Sequence, residues 1–349
     1  MIGMVRIGAV GAGVATGAAA FALSETLPDA NVTVLEASAS VGGRAATERR
    51  GDVVYDYGAN YLTSDDPRIE DLVTATLETD GLVDVTDPVW TFDAEGTVSE
   101  GRDADDHKWT FRGGLDRLAS RLFTRTDAEM YPETRVETIV RNDRQDTWTL
   151  EDADGDRWGP FDAVLVSPPA PETASLLESA DWDDRVRDHL VEAVTDVPFR
   201  TIWTGVFHYP FELERPYYAL VNTDKNHEIG WIAREACKPG HVPAGESVLV
   251  VQANHEWSVE RADDSPDDCL DELTALTADL LEDDRLGNPD WTDHHVWHHA
   301  IPEAGVATGP IETAADAGLH CLGDWVAGEG RLHAALRSGL EAGERIALG

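Results

Sequence analysis

The feature that most constrains the fold of this chain is a glycine-rich turn close to its start. The run Gly11 to Gly17 (GAGVATG) follows a short apolar stretch, residues 5–10, and overlaps an alanine-rich stretch of helical character, residues 12–27. Glycines permit a tight strand-to-helix turn whose backbone amides approach a pyrophosphate at the helix N-terminus. Thr16 stands where the third glycine of G-x-G-x-x-G is usual, and glycine-rich connectors occur in many α/β proteins. The run by itself is therefore weak evidence for a nucleotide.

A glutamate and a second glycine pair strengthen this interpretation. Glu36 ends a β-branched run, residues 32–35, and lies 25 residues after Gly11, where a carboxylate can accept from both ribose hydroxyls of an adenosine. The sequence Gly42-Gly43-Arg44 follows and supplies another close backbone approach and a cation for the pyrophosphate. The combination predicts a bound dinucleotide.

The end of the chain repeats the opening pattern, with a strand at 320–322, a Gly-Asp turn and a helix from about Leu332. A nucleotide fold with pieces at both termini implies a second domain between them. The predicted fold class is α/β, with a Rossmann-like domain of parallel strands and helices and an inserted α+β domain with a mixed or antiparallel sheet. We expect the first domain to comprise residues 1–75, 113–172 and 312–349, and the second, substrate-binding domain residues 76–112 and 173–311. The other predicted strands are 53–57, 135–140, 147–151, 161–166, 201–208, 228–234 and 247–253, and the other predicted helices are 67–79, 115–123 and one from Ser265-Pro266.

The charge of the chain excludes some partners. Its 349 residues include 67 acidic and 27 basic side chains, a net charge of −40, with acids spread along the whole length and only three lysines. Such a surface repels itself in dilute buffer, whereas molar salt shortens the screening length to about 3 Å. Nucleic acid and anionic membranes are poor partners for it, and no apolar stretch reaches the roughly 20 residues of a membrane span. These observations predict a soluble protein of a salt-rich cytoplasm.

Cysteines and histidines give little sign of a metal. The three cysteines are far apart and form no C-x-x-C pair, so neither a disulfide framework nor a zinc or iron–sulfur site is predicted. His294, His295, His298 and His299 have i, i+4 pairs that would suit a metal on a helix. The apolar residues between them indicate an extended segment instead. No metal site is predicted. Whether one of these histidines faces a substrate cavity stays open.

Longer stretches resemble a known family. Residues 32–37 with 41–44 are similar to the FAD signature of the amine oxidase–like flavoprotein superfamily, residues 56–61 to its next element and residues 323–325 to its closing motif. The resemblance implies non-covalent FAD, with Glu36 on the ribose, Arg44 near the pyrophosphate and Asp324 near the ribityl phosphate. The last helix would aim its positive end at the flavin and stabilise negative charge on the reduced ring. The cofactor-binding residues predicted in this way are Gly11, Gly13, Val14, Ala15, Glu36, Ala37, Gly43, Arg44, Gly58, Ala59, Asn60, Tyr61, Val136, Asp324 and Leu332.

Smaller matches resemble the renalase-like branch of that superfamily. They lie at residues 57–67, 231–240, 255–258, 299–303 and 323–339, with Asn60 in place of the branch's usual glutamine. This resemblance implies an oxidase that takes a hydride from a dihydronicotinamide compound and passes electrons to oxygen, giving hydrogen peroxide. One departure is His333-Ala334-Ala335, where the branch usually has Glu-Gly-Ala, so the substrate does not carry over.

The predicted substrate-cavity residues are Trp231, Trp325, Arg331 and His333. Core packing is the alternative for the tryptophans, and ion pairing with surface acids for Arg331. No catalytic side chain is predicted, because a flavin itself accepts the hydride and the protein positions it. Two other functions remain open: an amine oxidase or carotenoid desaturase-like activity, and a non-catalytic FAD- or nucleotide-binding protein.

Overall fold

The computed structural model describes residues 4–101, 106–182 and 184–349, which contain two large sheets and three small ones. The strands are β1 (Arg6–Val10), β2 (Asn31–Leu35), β3 (Thr47–Arg50), β4 (Val53–Asp56), β5 (Leu82–Asp84), β6 (Val89–Phe92), β7 (Val98–Ser99), β8 (Trp109–Phe111), β9 (Glu129–Tyr131), β10 (Val136–Asn142), β11 (Thr147–Asp152), β12 (Arg157–Phe161), β13 (Ala163–Val166), β14 (Phe199–Tyr209), β15 (Ala219–Asn222), β16 (Ile229–Arg234), β17 (Ser247–Ala253), β18 (Trp291–Pro302) and β19 (Leu319–Cys321). The helices are α1 (Val14–Thr26), α2 (Pro67–Asp71), α3 (Arg117–Thr124), α4 (Ala170–Glu178), α5 (Arg185–Thr195), α6 (His255–Glu260), α7 (Pro266–Leu280), α8 (Thr308–Asp316), α9 (Asp324–Ala327) and α10 (Leu332–Leu348).

One large sheet is parallel and contains strands from both ends of the chain. Its order is β19-β13-β1-β2-β9. All four residues of β13 and most of β1 and β2 are buried, as expected where helices cover both faces of a parallel sheet. The carboxyl ends of β1, β2, β13 and β19 therefore meet at one edge, where α/β proteins bind their ligands.

The other large sheet lies between these ends in sequence and is mixed. Its order is β18-β14-β17-β16-β15-β6-β7, with antiparallel pairing except between β15 and β6. The predicted fold class, a Rossmann-like domain with an inserted mixed-sheet region, is confirmed. The division of the chain at residues 75, 112, 172 and 311 stays a prediction.

Close packing of α1 against α10 holds the two helices side by side and parallel. A Cβ on Gly339 would lie 2.0 Å from the Ala15 carbonyl oxygen, and one on Gly343 would lie 2.6 Å from that of Ala19. Only glycine fits where two helix backbones approach this closely. The small residues of α1 face this contact, which explains why the first helix is rich in alanine.

Thr16 replaces a glycine without disturbing this arrangement. Its side chain is buried, and its hydroxyl donates to the Ser167 hydroxyl oxygen at 2.9 Å, just after β13. The next residue, Gly17, provides the close approach to α3, because a Cβ there would lie 3.1 Å from that of Leu122. The glycine that allows close helix packing therefore lies one residue later than in the usual G-x-G-x-x-G motif.

Two further sequence predictions can be compared with the structure. The helix predicted at 67–79 is α2 followed by a π-helical turn, Leu72–Thr76, and ends earlier than expected. The histidine-rich segment is extended, as predicted, and forms β18. Among the described residues no helix is long and apolar enough to cross a membrane.

Candidate functional site

A cavity of about 1900 Å³ is lined by the carboxyl ends of the parallel strands and by residues of the mixed sheet. All of the fifteen residues predicted to bind the cofactor line it. We call the part formed by the turns after β1, β2 and β19 the cofactor half. We call the part formed by segment 57–61 and by β16, β17 and β18 the substrate half. Ligand pockets are commonly about 300–1,000 Å³, so this volume leaves room for a second molecule beside a dinucleotide.

The first glycine turn presents bare backbone to the cofactor half. Gly11 has φ +89°, a conformation that favours glycine, and its N–H donates to the Leu35 carbonyl oxygen at 2.8 Å. Gly13 is the N-cap of α1, and no side chain caps that helix end. A Cβ on Gly13 would meet no protein atom within 4 Å and would only take space from a ligand. This end of α1 thus fits a pyrophosphate.

The second glycine pair completes the cradle. Gly42 has φ +120°, and its N–H donates to the Ala12 carbonyl oxygen at 3.0 Å. Gly43 faces the first turn, because a Cβ there would lie 3.6 Å from the Gly13 Cα atom. The two turns, some 30 residues apart in sequence, therefore form one backbone surface.

Glu36 lies where the dinucleotide interpretation requires a carboxylate. Its Oε2 atom accepts from the Ala12 N–H at 2.6 Å, and its Oε1 atom accepts from the N–H and hydroxyl of Ser38 at 2.8 and 2.7 Å. The carboxylate is thereby held at the end of β2 and beside the glycine turn. Oε2 accepts only this one hydrogen bond, so its second lone pair can also accept from a ribose hydroxyl.

Arg44 and Asp324 form a bidentate ion pair. The Arg44 guanidinium donates to both carboxylate oxygens of Asp324 at 2.9 and 2.6 Å, and also to the Ala300 carbonyl oxygen at 3.0 Å. Asp324 is almost wholly buried and follows Gly323, which has φ +138°. The family resemblance assigns these two side chains to different parts of the cofactor, whereas the structure brings them together. This ion pair connects the second glycine turn, at Gly42 and Gly43, to the turn at Gly323.

Segment 57–61 forms the side of the substrate half that adjoins the cofactor half. Gly58 leaves no room for a side chain, because a Cβ there would lie 2.1 Å from the Arg44 carbonyl oxygen. The Ala59 N–H donates to that same oxygen at 2.9 Å, and the Gly58 carbonyl oxygen accepts from Gln252 at 3.0 Å. The backbone of this segment is therefore held from the cofactor half on one side and from β17 on the other.

Aromatic rings form the wall of the substrate half. Tyr57 and Trp297 are stacked with centroids 5.6 Å apart, and the Trp297 indole N–H donates to the Tyr57 carbonyl oxygen at 3.1 Å. The His295 ring lies 4.1 Å from that of Trp297, and burial lowers the pKa of His295, so its imidazole is neutral at pH 7. Tyr61 lies 6.3 Å from Trp231. Burial raises the pKa of Tyr61, and the positive charge of Arg331 nearby partly offsets this.

Three of the four predicted substrate-cavity residues line the cavity, namely Trp231, Arg331 and His333. The prediction for Trp325 is wrong. Its ring is fully buried in the apolar core below the parallel sheet, and its indole N–H donates to the Pro168 carbonyl oxygen at 3.1 Å. Following Asp324 in sequence does not place it in the cavity, because the α9 turn directs the next side chain inward.

The sequence interpretation does not include several cavity residues among its predicted site residues. Tyr57, Gln252 and Trp297 line the cavity, and so does His295, one of the histidines for which the sequence leaves open a place facing a substrate cavity. Alternation along β18 places His295 and Trp297 on one face, and the histidine-rich pattern already indicated an extended segment there. Gln252 had no such signal, because a single glutamine in a buried strand matches no motif.

One group of charged residues and one cysteine bear on the questions of a metal site and of a covalent flavin link. Within the described ranges, the one cluster with metal-ligand spacing is Asp56, Glu235 and His241, and the Lys238 ammonium lies 2.8 Å from both carboxylates and takes the place of a cation. Cys321 is buried outside the cavity lining, and burial raises the pKa of its thiol to about 12. Such a thiol is a poor nucleophile.

Comparisons with known proteins agree with this geometry. Residues 10–76 match the NAD(P)-binding Rossmann-like domain, and residues 91–347, more than half of the chain, match the flavin containing amine oxidoreductase family. A protein from Exiguobacterium sp. 255-15, provisionally named a protoporphyrinogen oxidase, has a TM-score of 0.76 and is 16% identical, with 99% of this chain and 100% of that one covered. Cyclohexylamine oxidase from Brevibacterium oxydans IH-35A has a TM-score of 0.72 at 15% identity, and a triple mutant of putrescine oxidase has 0.71 at 12%, each covering 99% of both chains.

At these identities the structural likeness shows the fold alone, whereas the family match also identifies the cofactor. The protein binds FAD without a covalent bond and is an FAD-dependent oxidoreductase. The chain belongs to the flavin containing amine oxidoreductase family.

Proposed function

We propose that this protein is a renalase-like oxidase, which takes a hydride from a dihydronicotinamide-type donor and passes the electrons to oxygen, giving hydrogen peroxide. The observation that carries the proposal is the composition of the substrate half. Flat aromatic rings form its wall, and Arg331 lines the same cavity, where its positive charge partly offsets the rise that burial causes in the pKa of Tyr61. A planar ring that bears phosphates at its other end matches such a surface, because rings stack and guanidinium groups bind phosphate.

The side chains of the substrate half position a donor and exclude water. FAD, when bound, supplies the hydride-accepting ring. Trp231 and Tyr61 offer faces against which a planar donor packs, and the Trp297–Tyr57 stack closes the cavity on the side of β18. His295 is neutral at pH 7 and adds no charge beside the ring. Alignment of this kind supplies much of the rate in a hydride transfer, which needs no strong acid or base.

The fold offers one dinucleotide cradle in the described part of the chain. Its parallel strands form a single five-stranded sheet, and the other large sheet is mixed. A donor would therefore bind directly over the flavin rather than on a Rossmann-like domain of its own. The three cysteines, all of them free, provide no relay of electrons through a redox pair.

An amine oxidase or desaturase-like activity is the second candidate. The structures of cyclohexylamine oxidase and putrescine oxidase have the same fold, and an aromatic cavity wall also suits an organic amine. Family membership, by contrast, removes support from the non-catalytic alternative.

Anaerobic reduction of the bound flavin separates these candidates. The holoprotein is mixed without oxygen with NADH, with its isomers reduced at other ring positions, or with primary amines, and the visible flavin absorbance is followed. We expect rapid bleaching by a dihydronicotinamide and peroxide formation once air is admitted. Bleaching by amines alone would replace the proposal with the second candidate.

We also propose that the protein is adapted to a salt-rich cytoplasm. With 67 acidic residues against 27 basic ones, carboxylates repel one another over the roughly 10 Å screening length of 0.1 M salt. Raising sodium or potassium chloride from about 0.1 M to above 1 M should increase the melting temperature and slow the loss of FAD. A melting temperature that stays flat or falls over this range would contradict the adaptation.

A further inference from the structure

Four charged side chains lie completely buried where β4 packs against the segment that follows β16. We call Asp56, Glu235, Lys238 and His241 the buried charge cluster, and none of their side chains is exposed to solvent. The Lys238 ammonium lies 2.8 Å from the Asp56 Oδ2 atom and 2.8 Å from the Glu235 Oε1 atom. The His241 Nδ1 atom lies 2.8 Å from the Glu235 Oε2 atom. Burial of so many ionic groups is costly unless each one is paired.

The hydrogen bonds of His241 indicate that the cluster is neutral as a whole. Its Nε2 atom faces the Phe111 carbonyl oxygen at 2.9 Å, which can only accept, and its Nδ1 atom faces the Glu235 carboxylate. The contact between Nδ1 and the carboxylate needs one proton, whichever of the two groups carries it, so the His241–Glu235 pair has no net charge. Lys238 and Asp56 balance each other. Burial would raise the pKa of Asp56, but the positive charges of Lys238 and His241 hold that pKa below its usual value.

The cluster fastens the strand that leads into segment 57–61. Asp56 is the last residue of β4, and its N–H donates to the Glu235 Oε2 atom at 3.2 Å. Two residues earlier, the Val54 N–H donates to the His241 carbonyl oxygen at 2.7 Å. The other Asp56 oxygen, Oδ1, accepts from the Thr47 hydroxyl at 2.6 Å and from the Leu115 N–H at 2.8 Å. Backbone and side chain of Asp56 are thus both fixed by the cluster.

Lys238 also contacts the wall of the substrate half through one ring. Its ammonium lies 5.9 Å from the centroid of the buried Tyr218 ring. Tyr218 in turn meets Tyr61 at 6.1 Å and Trp231 at 6.3 Å, edge-on in both cases. One buried ammonium therefore supports the segment beside the cofactor and the ring that flanks the substrate.

We propose that Lys238 is a positioning residue for the flavin: through Asp56 it fixes segment 57–61, and through Tyr218 the adjoining wall, so that the environment of bound FAD depends on its charge. The side chain of Lys238 does not reach the cavity, so it acts only through these neighbours. This inference rests on FAD binding and is independent of the donor that reduces the flavin.

The test uses two cluster variants and a surface control in high salt. Lys238→Met removes one charge at similar length, and Lys238→Met/Glu235→Gln removes one charge of each sign, leaving Asp56 and His241 to balance. The control, Arg68→Met, breaks the half-exposed pair between Arg68 and Glu344. For each protein the melting temperature of the apoprotein, the FAD Kd and the visible circular dichroism of bound flavin are measured.

We expect Lys238→Met to lower the melting temperature, raise the FAD Kd about tenfold, equivalent to about 1.4 kcal/mol, and change the flavin dichroism. The double variant should regain most of the melting temperature but keep the altered Kd and dichroism, because Asp56 still lacks its ammonium. The control should match the wild type in all three. Recovery of Kd and dichroism along with stability would reduce Lys238 to a structural role and overturn the proposal. Failure of both cluster variants to fold would also overturn it, because a neutral remainder should be compatible with the fold.

Discussion

The two halves of the cavity are built from different parts of the polypeptide. In the cofactor half, the contacts come from backbone: glycines at 11, 13, 42 and 43, the open end of α1, and one carboxylate fixed by main-chain amides. In the substrate half they come from side chains carried by strands, such as Trp231 on β16, Gln252 on β17 and Trp297 on β18.

This difference determines how freely each half can change. A backbone surface tolerates few substitutions, because an added Cβ either strikes the protein, as at Gly42, or projects into the ligand space, as at Gly13. A side-chain surface on a stable sheet can be altered residue by residue. One fold can therefore keep FAD constant while its substrate changes.

The largest effect is expected at Glu36. Glu36→Ala should weaken FAD binding by roughly 2–4 kcal/mol, because charged hydrogen bonds contribute about 1.5–3 kcal/mol each and water partly replaces them. The FAD Kd is measured by titration of the apoprotein. Glu25→Ala on the far part of α1 is the control and should bind FAD normally. A Kd changed less than about threefold would give Glu36 another role.

Acid should destabilise the sheet beneath the cofactor half. Burial lowers the pKa of His320 on β19 to about 4, from 6.5 when unfolded. The unfolded chain then binds more protons than the folded one between these values, so stability decreases as the pH falls from about 6.5 to 4, by about 3 kcal/mol. Denaturant melts at both pH values measure this loss. His320→Gln should reduce it, whereas the exposed His189→Gln should not; equal losses in both variants would exclude His320 as the cause.

Gly13→Ala tests whether the cofactor half is shaped for a ligand rather than for packing. The new Cβ meets no protein atom, so the apoprotein should melt as the wild type does, while FAD binding weakens by about 1–3 kcal/mol through overpacking. Gly309→Ala, in the first turn of α8, is a matched control with equal space and no contact with the cavity. Normal FAD binding by Gly13→Ala would show that the pyrophosphate lies elsewhere.

The smallest effect is expected at Arg331, which should affect binding of the donor and not binding of FAD. Arg331→Met should raise the KM for a dihydronicotinamide nucleotide about tenfold, the loss of one charged hydrogen bond, with the FAD Kd changed less than about twofold. Arg144→Met, in an exposed turn away from the cavity, is the control. A larger change in FAD Kd than in KM would place Arg331 in the cofactor half and break the distinction.

The sequence predicts the cofactor half far better than the substrate half, for the same physical reason. Backbone recognition needs glycine at fixed spacings, so the turns at 11–13 and 42–43 and the carboxylate of Glu36 are visible as motifs. Strands and helices near them were also predictable within a few residues. Gln252 and Tyr57 enter the cavity only because the mixed sheet is registered against segment 57–61, and no local pattern encodes that register. The sequence does not predict the Arg44–Asp324 ion pair either, because its two residues are 280 positions apart and no local pattern links them.

The state of the cofactor tests the central claim most directly. Protein purified in high salt should be yellow, and precipitation with acid or heat should release one FAD per chain into the supernatant, since no cavity cysteine is available to bind it covalently. Flavin that stays with the precipitated polypeptide would contradict non-covalent binding. A colourless protein that takes up no FAD on reconstitution in high salt would contradict the assignment of the glycine cradle itself.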